Sequence, residues 1–259
     1  MLLRDTPLGR RLVGIIWLVL LLLSTMGVVM GAHDNDDERA LVAFKERISG
    51  HSGVLVSWNR SVSYCAWEGV TCSRRHRSRV VALDLNSQGL SDTISPAIAN
   101  LTFLRMLDVS FNPLYSEIPP SIGFLRRLRY LALKGNMITD TIPSNISRCT
   151  SLRRVTISDN GLQGRIPSEI GGMPSLRVIQ LYNKQPQRTI PSSLRNLSWL
   201  TTLSLAANHL EGSIPRALGT MHISSSFLAM NNFSESIEKL ILGSHQAVMA
   251  VYSLHCAAP

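Results

Sequence analysis

From Val80 onward the apolar positions fall into a frame that returns every 24 residues. The unit from Leu152 shows it most plainly: L-x-x-V-x-I-x-x-N-x-L-x-G-x-I-P, then apolar residues at Ile170 and Met173. Units begin at Val80, Leu104, Leu128, Leu152, Leu176 and Leu200, with an eroded unit from Ile223 after a one-residue deletion. The fourth and sixth residues of each (Leu107 and Val109, Leu131 and Leu133) alternate with more polar neighbours. That is the period of a short strand with one buried face. The ninth position reads Gln88, Asn112, Asn136, Asn160, Lys184, Asn208 and Asn231. A buried turn leaves backbone groups unpaired unless a side chain bonds them, and a stacked Asn column can bond its own coil and the next. Positions 11, 15, 19 and 22 (Leu162, Ile166, Ile170 and Met173) fill the coil from the far side. One coil cannot bury its face alone, so stacked neighbours must do it together. The frame predicts a solenoid of about seven coils over residues 80–237.

This period and motif are those of a leucine-rich repeat. The extension N-x-L-x-G-x-I-P-x-x-I/L-G, at Asn160 to Gly171 and Asn208 to Gly219, resembles the plant-specific class of that repeat. The class builds receptor kinases, receptor-like proteins and polygalacturonase-inhibiting proteins, and the resemblance runs over about residues 36–237. It implies an α/β solenoid, a leucine-rich-repeat superhelix with a parallel β-sheet on the concave face. It also implies an N-terminal helical, disulfide-bonded cap.

Ahead of the repeats, residues 1–32 read as a secretory signal, with Arg4, Arg10 and Arg11 before an apolar run from Leu12 to Leu23. The alternative is an uncleaved anchor, and either places the rest on the oxidising side. Residues 33–79 read as the cap. Asp36, Asp37 and Glu38 suit a helix N-terminus, and Ala40, Leu41, Phe44 and Ile48 fall on one face. Trp58 and the run Tyr64 to Cys72 match the W…C-x-W-x-G-V-x-C pattern of plant leucine-rich-repeat caps. Cys65 and Cys72 form a disulfide in this secreted setting. Cys149, at position 22 where other units carry Leu or Met, is a core residue rather than a nucleophile. Cys256 is left as a free thiol or an intermolecular link. Residues 238–259 form an irregular tail that fits neither a further coil nor a capping cysteine pair. Sequons at Asn59, Asn100, Asn145, Asn196 and Asn232 are candidate glycosylation sites.

Charge changes the picture only at the margins. The formal net charge is +9; residues 1–32 hold Arg4, Arg10, Arg11 and Asp5, so +7 remains beyond them. Routing to the secretory pathway argues against nucleic acid as a partner. The motifs H-E-x-x-H, G-x-S-x-G, C-x-x-C, H-R-D and D-F-G are absent, so neither catalysis, nor a kinase domain, nor a metal or cofactor is expected. No transmembrane helix is expected beyond the N-terminal signal.

What remains is a binding surface. Positions 3, 5, 7 and 8 of each coil are expected to face outward from the concave sheet. They nominate Asp108, Phe111, Tyr130, Lys134, Arg154, Thr156, Gln180 and Tyr182 as ligand-binding residues. Position 2 carries a column of Arg105, Arg129, Arg153 and Arg177, either a solvated rim or a docking edge for an acidic peptide, protein or pectic polysaccharide. The resemblance implies a peptide or protein ligand and a co-receptor ectodomain as partners, as in plant immune or developmental receptors. The alternatives are a secreted inhibitor of a cell-wall-degrading enzyme and a truncated receptor-kinase product without activity.

Overall fold

The structure, a computed structural model, describes residues 36–50, 53–76, 78–182, 189–221 and 223–234. The expected signal, Lys184 and its neighbours in the fifth unit, Ile237, Cys256 and the tail lie outside them. Each unit contributes one short strand to a single eight-stranded sheet. Val80–Asp84, Met106–Asp108, Tyr130–Ala132, Arg154–Thr156, Val178–Gln180, Thr202–Ser204 and Ser225–Phe227 lie parallel in sequence order. The cap strand Val70–Cys72 pairs antiparallel with Val80–Asp84 at the first edge. The register carries the 24-residue step into space: Ala82, Met106, Tyr130, Arg154, Val178 and Thr202 are successive neighbours. The deletion before coil seven shifts its partner to Ser225 without breaking the ladder.

The far side is made of 3-10 turns of five residues each, such as Pro120–Phe124 and Ser168–Gly172. Proline stands at or just before the start of each, where its preset φ and missing N–H do no harm. The residue at position 22 closes each turn with an N–H to the carbonyl three residues back, as Leu125 does to Ile122. Between sheet and turns runs one continuous apolar core from Ala40 to Leu228, with Leu162, Ile166, Ile170 and Met173 all inside it. Cys149 sits fully buried in this row.

The Asn column holds the descending side. Asn160 donates from Nδ2 to the carbonyls of Leu133 (2.8 Å) and Ile157 (2.9 Å), and its Oδ1 accepts from the Ile138 N–H at 3.1 Å. Asn112, Asn136 and Asn231 repeat the pattern, and Asn208 makes both carbonyl contacts. Each side chain therefore joins its own coil to the preceding one. The expectation had the direction reversed, because the backbone still lacking partners at each turn belongs to the coil already laid down.

Two tight corners recur wherever their positions are described. Position 8 is left-handed at Ser87, Phe111, Gly135, Asp159, Ala207 and Met230. Position 13 is left-handed too: Gly164 and Gly212 take φ of 79° and 74°, but Asp92, Ser116 and Asp140 must adopt 92°, 93° and 69°. A side chain there strains against the following carbonyl, and glycine does not.

The cap closes the first coil with polar as well as apolar bonds. The helix over 36–45 buries Ala40, Leu41 and Phe44. Trp58 and Trp67 stack at 5.3 Å, and their indole N–H groups donate to the carbonyls of Glu68 and Asn59. Cys65 and Cys72 are disulfide-bonded beside them. Asp37 does more than face a helix dipole. It is 0% exposed, takes a two-pronged contact from Arg79 (3.1 and 3.0 Å) and accepts the Val80 N–H at 2.7 Å. A buried carboxylate is tolerated when so fully paired.

Two substitutions test these bonds. Asn160→Ala leaves the Ile138 N–H and two buried carbonyls without their partner, at about 1–3 kcal/mol each. Urea unfolding should show a large fall in stability, and an unchanged midpoint would remove the ladder from its structural role. Ser116→Gly should act the other way, raising stability by roughly 0.5–1 kcal/mol as left-handed strain is relieved. A lowered melting temperature would show that the Ser116 side chain contributes more than its backbone strain costs.

Candidate binding face

Because the strands are in register, the outward columns of the sequence become rows across the sheet. At position 3, Tyr130 (43% exposed) and Arg154 are neighbours, and Arg154 makes no ion pair among the described residues. At position 5, Asp108, Ala132, Thr156 and Gln180 follow one another, and Thr156 Oγ1 donates to Gln180 Oε1 at 3.1 Å.

Positions 7 and 8 gather a cluster around Lys134. Its ammonium lies 3.7 Å from the Asp159 carboxylate and sits near two rings, Phe111 at 5.3 Å and Tyr182 at 5.4 Å. The Tyr182 hydroxyl first, then the Asp159 charge, hold the Lys134 pKa above its ordinary value. Phe111 is 51% exposed, and its ring leans onto Gly135 of the next coil. A Cβ at Gly135 would stand 2.6 Å from the ring, so only glycine leaves room. The face thus divides in two: Tyr130 with an uncommitted guanidinium at Arg154, and a half already organised by the Lys134–Asp159 pair. The sequence placed Lys134 at position 7 and Asp159 at position 8 of the next coil, but position alone leaves open which partner the lysine takes.

One expectation is corrected here. Position 7 does not always face outward, since Ser110 and Ser158 are buried. Ser158 Oγ instead accepts the Tyr182 backbone N–H at 3.1 Å. The chain has begun to turn inward at this point, so a small hydroxyl is drawn into the backbone network while Lys134 and Tyr182 are long enough to emerge.

Other candidate positions lie elsewhere. Arg105, Arg153 and Arg177 are exposed and Arg129 half-buried along the edge where the strands begin. Asn59, Asn100, Asn196 and Asn232 are exposed, whereas Asn145 is half-buried. Asn145 borders an open groove of about 810 Å³ on the other side of the coil, between Glu117, Pro143, Arg165 and Glu169. Nothing in the sequence reading pointed to that groove. Among the described residues no group of three or more His, Cys, Asp or Glu is placed to hold a metal ion. Nor is any helix among them long and apolar enough to cross a membrane.

Comparison with known proteins now bears on this geometry. The family described as "Leucine-rich repeat region" matches residues 60–239. The chain belongs to the leucine-rich-repeat family. A second match, "Leucine rich repeat N-terminal domain", covers residues 34–73. Over 95 residues this leucine-rich-repeat chain is 46% identical to the LRR receptor-like serine/threonine-protein kinase EFR of Arabidopsis thaliana, which takes in 36% of the chain and 9% of that protein. The chain spans about a tenth of the length of such curated relatives, and the kinases match through their ectodomain part. Among solved structures it resembles the ectodomain of the Arabidopsis thaliana receptor kinase GASSHO1/SCHENGEN3, in complex with CASPARIAN STRIP INTEGRITY FACTOR 2. The TM-score is 0.72 and the identity 32%, over 78% of this chain and 24% of that one. The BIR3–SERK2 complex, also from Arabidopsis thaliana, gives 0.58 and 29%, over 76% and 95%.

Cys149 offers a direct check on the interior. Burial pushes its thiol up to about 12 from an ordinary 9.0, and its Sγ contacts the Ile122 carbonyl at 3.2 Å. The unfolded chain gives up this proton near pH 9 and the folded one near 12. The stabilising contribution is therefore complete below pH 9 and is lost as pH rises towards 12. Native protein treated with N-ethylmaleimide at pH 8 should leave Cys149 unmodified on peptide mapping. Rapid labelling would mean that the third and fourth coils open readily.

Proposed function

We propose that this chain is a non-catalytic, extracellular binding ectodomain that takes a peptide or protein ligand on the concave face of its sheet. In this reading residues 1–32 serve as the secretory signal, and the sequons on exposed loops and turns carry glycans. A co-receptor ectodomain is the second class of partner. The observation that carries the proposal is the pairing of Tyr130 with an uncommitted Arg154 on the open sheet, beside the Phe111–Lys134–Tyr182 cluster. Aromatic residues and arginine are the types that dominate binding energy at interfaces. Arg154 is free to take a carboxylate through a charge-assisted bond, while Lys134 already has Asp159. Thr156 and Gln180, bonded to each other between the two halves, give a ligand backbone polar edges to meet. Likeness to ectodomains solved in complex with CASPARIAN STRIP INTEGRITY FACTOR 2 and in the BIR3–SERK2 pair supports both partner classes.

The test is titration of the partner captured from plant extracellular fluid against four variants of the secreted chain. Arg154→Ala and Tyr182→Ala should each weaken binding by over about 1 kcal/mol. Tyr182→Phe, which keeps the ring, should retain most of it. Arg105→Ala, at the rim, should act mainly on the association rate and on its salt dependence. If every variant binds as the parent does, the sheet face is not the site.

A further inference from the structure

Of the first five coils, two carry asparagine at position 21, Asn100 and Asn196, and each opens a sequon. The same two coils, and no other of the five, end on an aromatic ring at position 24, Phe103 and Trp199. The two rings differ in what covers them. Phe103 is half-buried, with the guanidinium groups of Arg79 and Arg127 over it at 4.2 and 3.9 Å and His76 edge-on at 5.0 Å. Trp199 is 63% exposed, and among the described residues a single cation approaches it, Arg177 at 6.0 Å.

Local geometry sets Trp199 beside Asn196. The 3-10 turn Ser192–Asn196 closes with the Leu197 N–H on the Leu194 carbonyl. The chain turns again at once: the Ser198 N–H bonds the Asn196 carbonyl at 3.0 Å and the Leu200 N–H the Leu197 carbonyl at 3.1 Å. Leu197 and Leu200 point into the core, whereas Asn196, Ser198 and Trp199 are exposed. Residues three apart in such a turn have Cα atoms within roughly 7 Å of each other. At the place of Asn196 in the preceding coil stands Gly172, exposed, and a Cβ added there would meet no atom within 4 Å. The surface beside Asn196 is therefore open.

We propose that the indole of Trp199 is the platform on which the first N-acetylglucosamine of a glycan at Asn196 is seated. The proposal rests on the reading that the exposed sequons are glycosylated. That sugar is joined directly to Asn196 Nδ2. Its ring substituents are equatorial, which leaves axial C–H groups on its two faces. Such C–H groups suit the negative face of an indole, and stacking takes apolar surface of both rings out of water without burying a hydroxyl. A planar ring has two faces, so the Arg177 contact leaves the second one free. At Asn100 the neighbouring ring is already taken, because Arg79, Arg127 and His76 hold Phe103. A glycan there has no platform. One seated on Trp199 is tied to its flank rather than free to sweep over the open sheet.

The test uses the secreted full chain from a eukaryotic host, with sugar occupancy at Asn196 read by mass spectrometry. Of the four tryptophans, Trp17 lies in the signal and Trp58 and Trp67 are each 3% exposed, so acrylamide quenching of the secreted chain reports on Trp199. Asn196→Gln should raise that quenching about twofold, one indole face being uncovered. Asn100→Gln should leave it unchanged. In melting curves Trp199→Ser should lower the midpoint by about 2 °C or more with the glycan present. In the Asn196→Gln background the loss should be much smaller, and Trp199→Phe should keep most of the parent's value. The lost Arg177 contact is common to both backgrounds and cancels in that comparison. An occupied Asn196 with unchanged quenching, or with equal losses from Trp199→Ser in the two backgrounds, overturns the platform and leaves the glycan reading standing. An Asn196 without sugar in the parent overturns both. Equal increases for Asn100→Gln and Asn196→Gln would reduce the effect to overall glycosylation and overturn the platform too.

Discussion

Everything in this molecule depends on keeping backbone groups bonded while the chain turns through its own interior. Short strands of three residues satisfy only part of each coil, and the descending side has only two-residue pairings, such as Tyr115–Ser116 with Met137–Ile138. One buried amide supplies the rest. Asn112, with its Nδ2 on the carbonyls of Leu85 and Val109 and its Oδ1 on the N–H groups of Gln88 and Leu90, replaces what a longer strand would provide. Unsatisfied buried groups are among the larger penalties available to a fold. The asparagine at position 9 therefore constrains the chain through bonds that no leucine can supply.

The same constraint shapes the surface. Because coils are locked in register, a residue type repeated every 24 positions becomes a row, and rows differ sharply in character. The arginine row runs where strands begin, the Tyr130–Arg154 pair lies on the open sheet, and the Lys134–Asp159 pair lies where strands end. The left-handed corner at position 8 decides which of these side chains emerge. It turns Phe111 outward and draws Ser110 and Ser158 inward, so exposure depends on side-chain length as much as on position.

Much of the fold was legible because its signals are columns. Leu107, Leu131 and Val155 share a position, and that repetition fixes strand, face and stacking direction together. The aromatic cap was readable for the same reason, as Trp58, Cys65, Trp67 and Cys72 sit at distinctive spacings. What stayed hidden were contacts between residues without a column. Asp37 and Arg79 are 42 positions apart and nothing in either local pattern announces their ion pair. The candidate site was legible only as a set of outward positions. Which members bond each other, as Thr156 with Gln180 or Lys134 with Asp159, depends on rotamers that periodicity does not specify.

The backward reach of the asparagines gives the solenoid a direction in time. The turn of one coil, at Gln88 and Leu90, is completed only when Asn112 of the next coil arrives. On a ribosome adding about 5–20 residues per second, a coil of 24 residues waits roughly 1–5 s for that arrival. During synthesis the growing end is thus always one coil short of closure, and the molecule matures from its capped end outward.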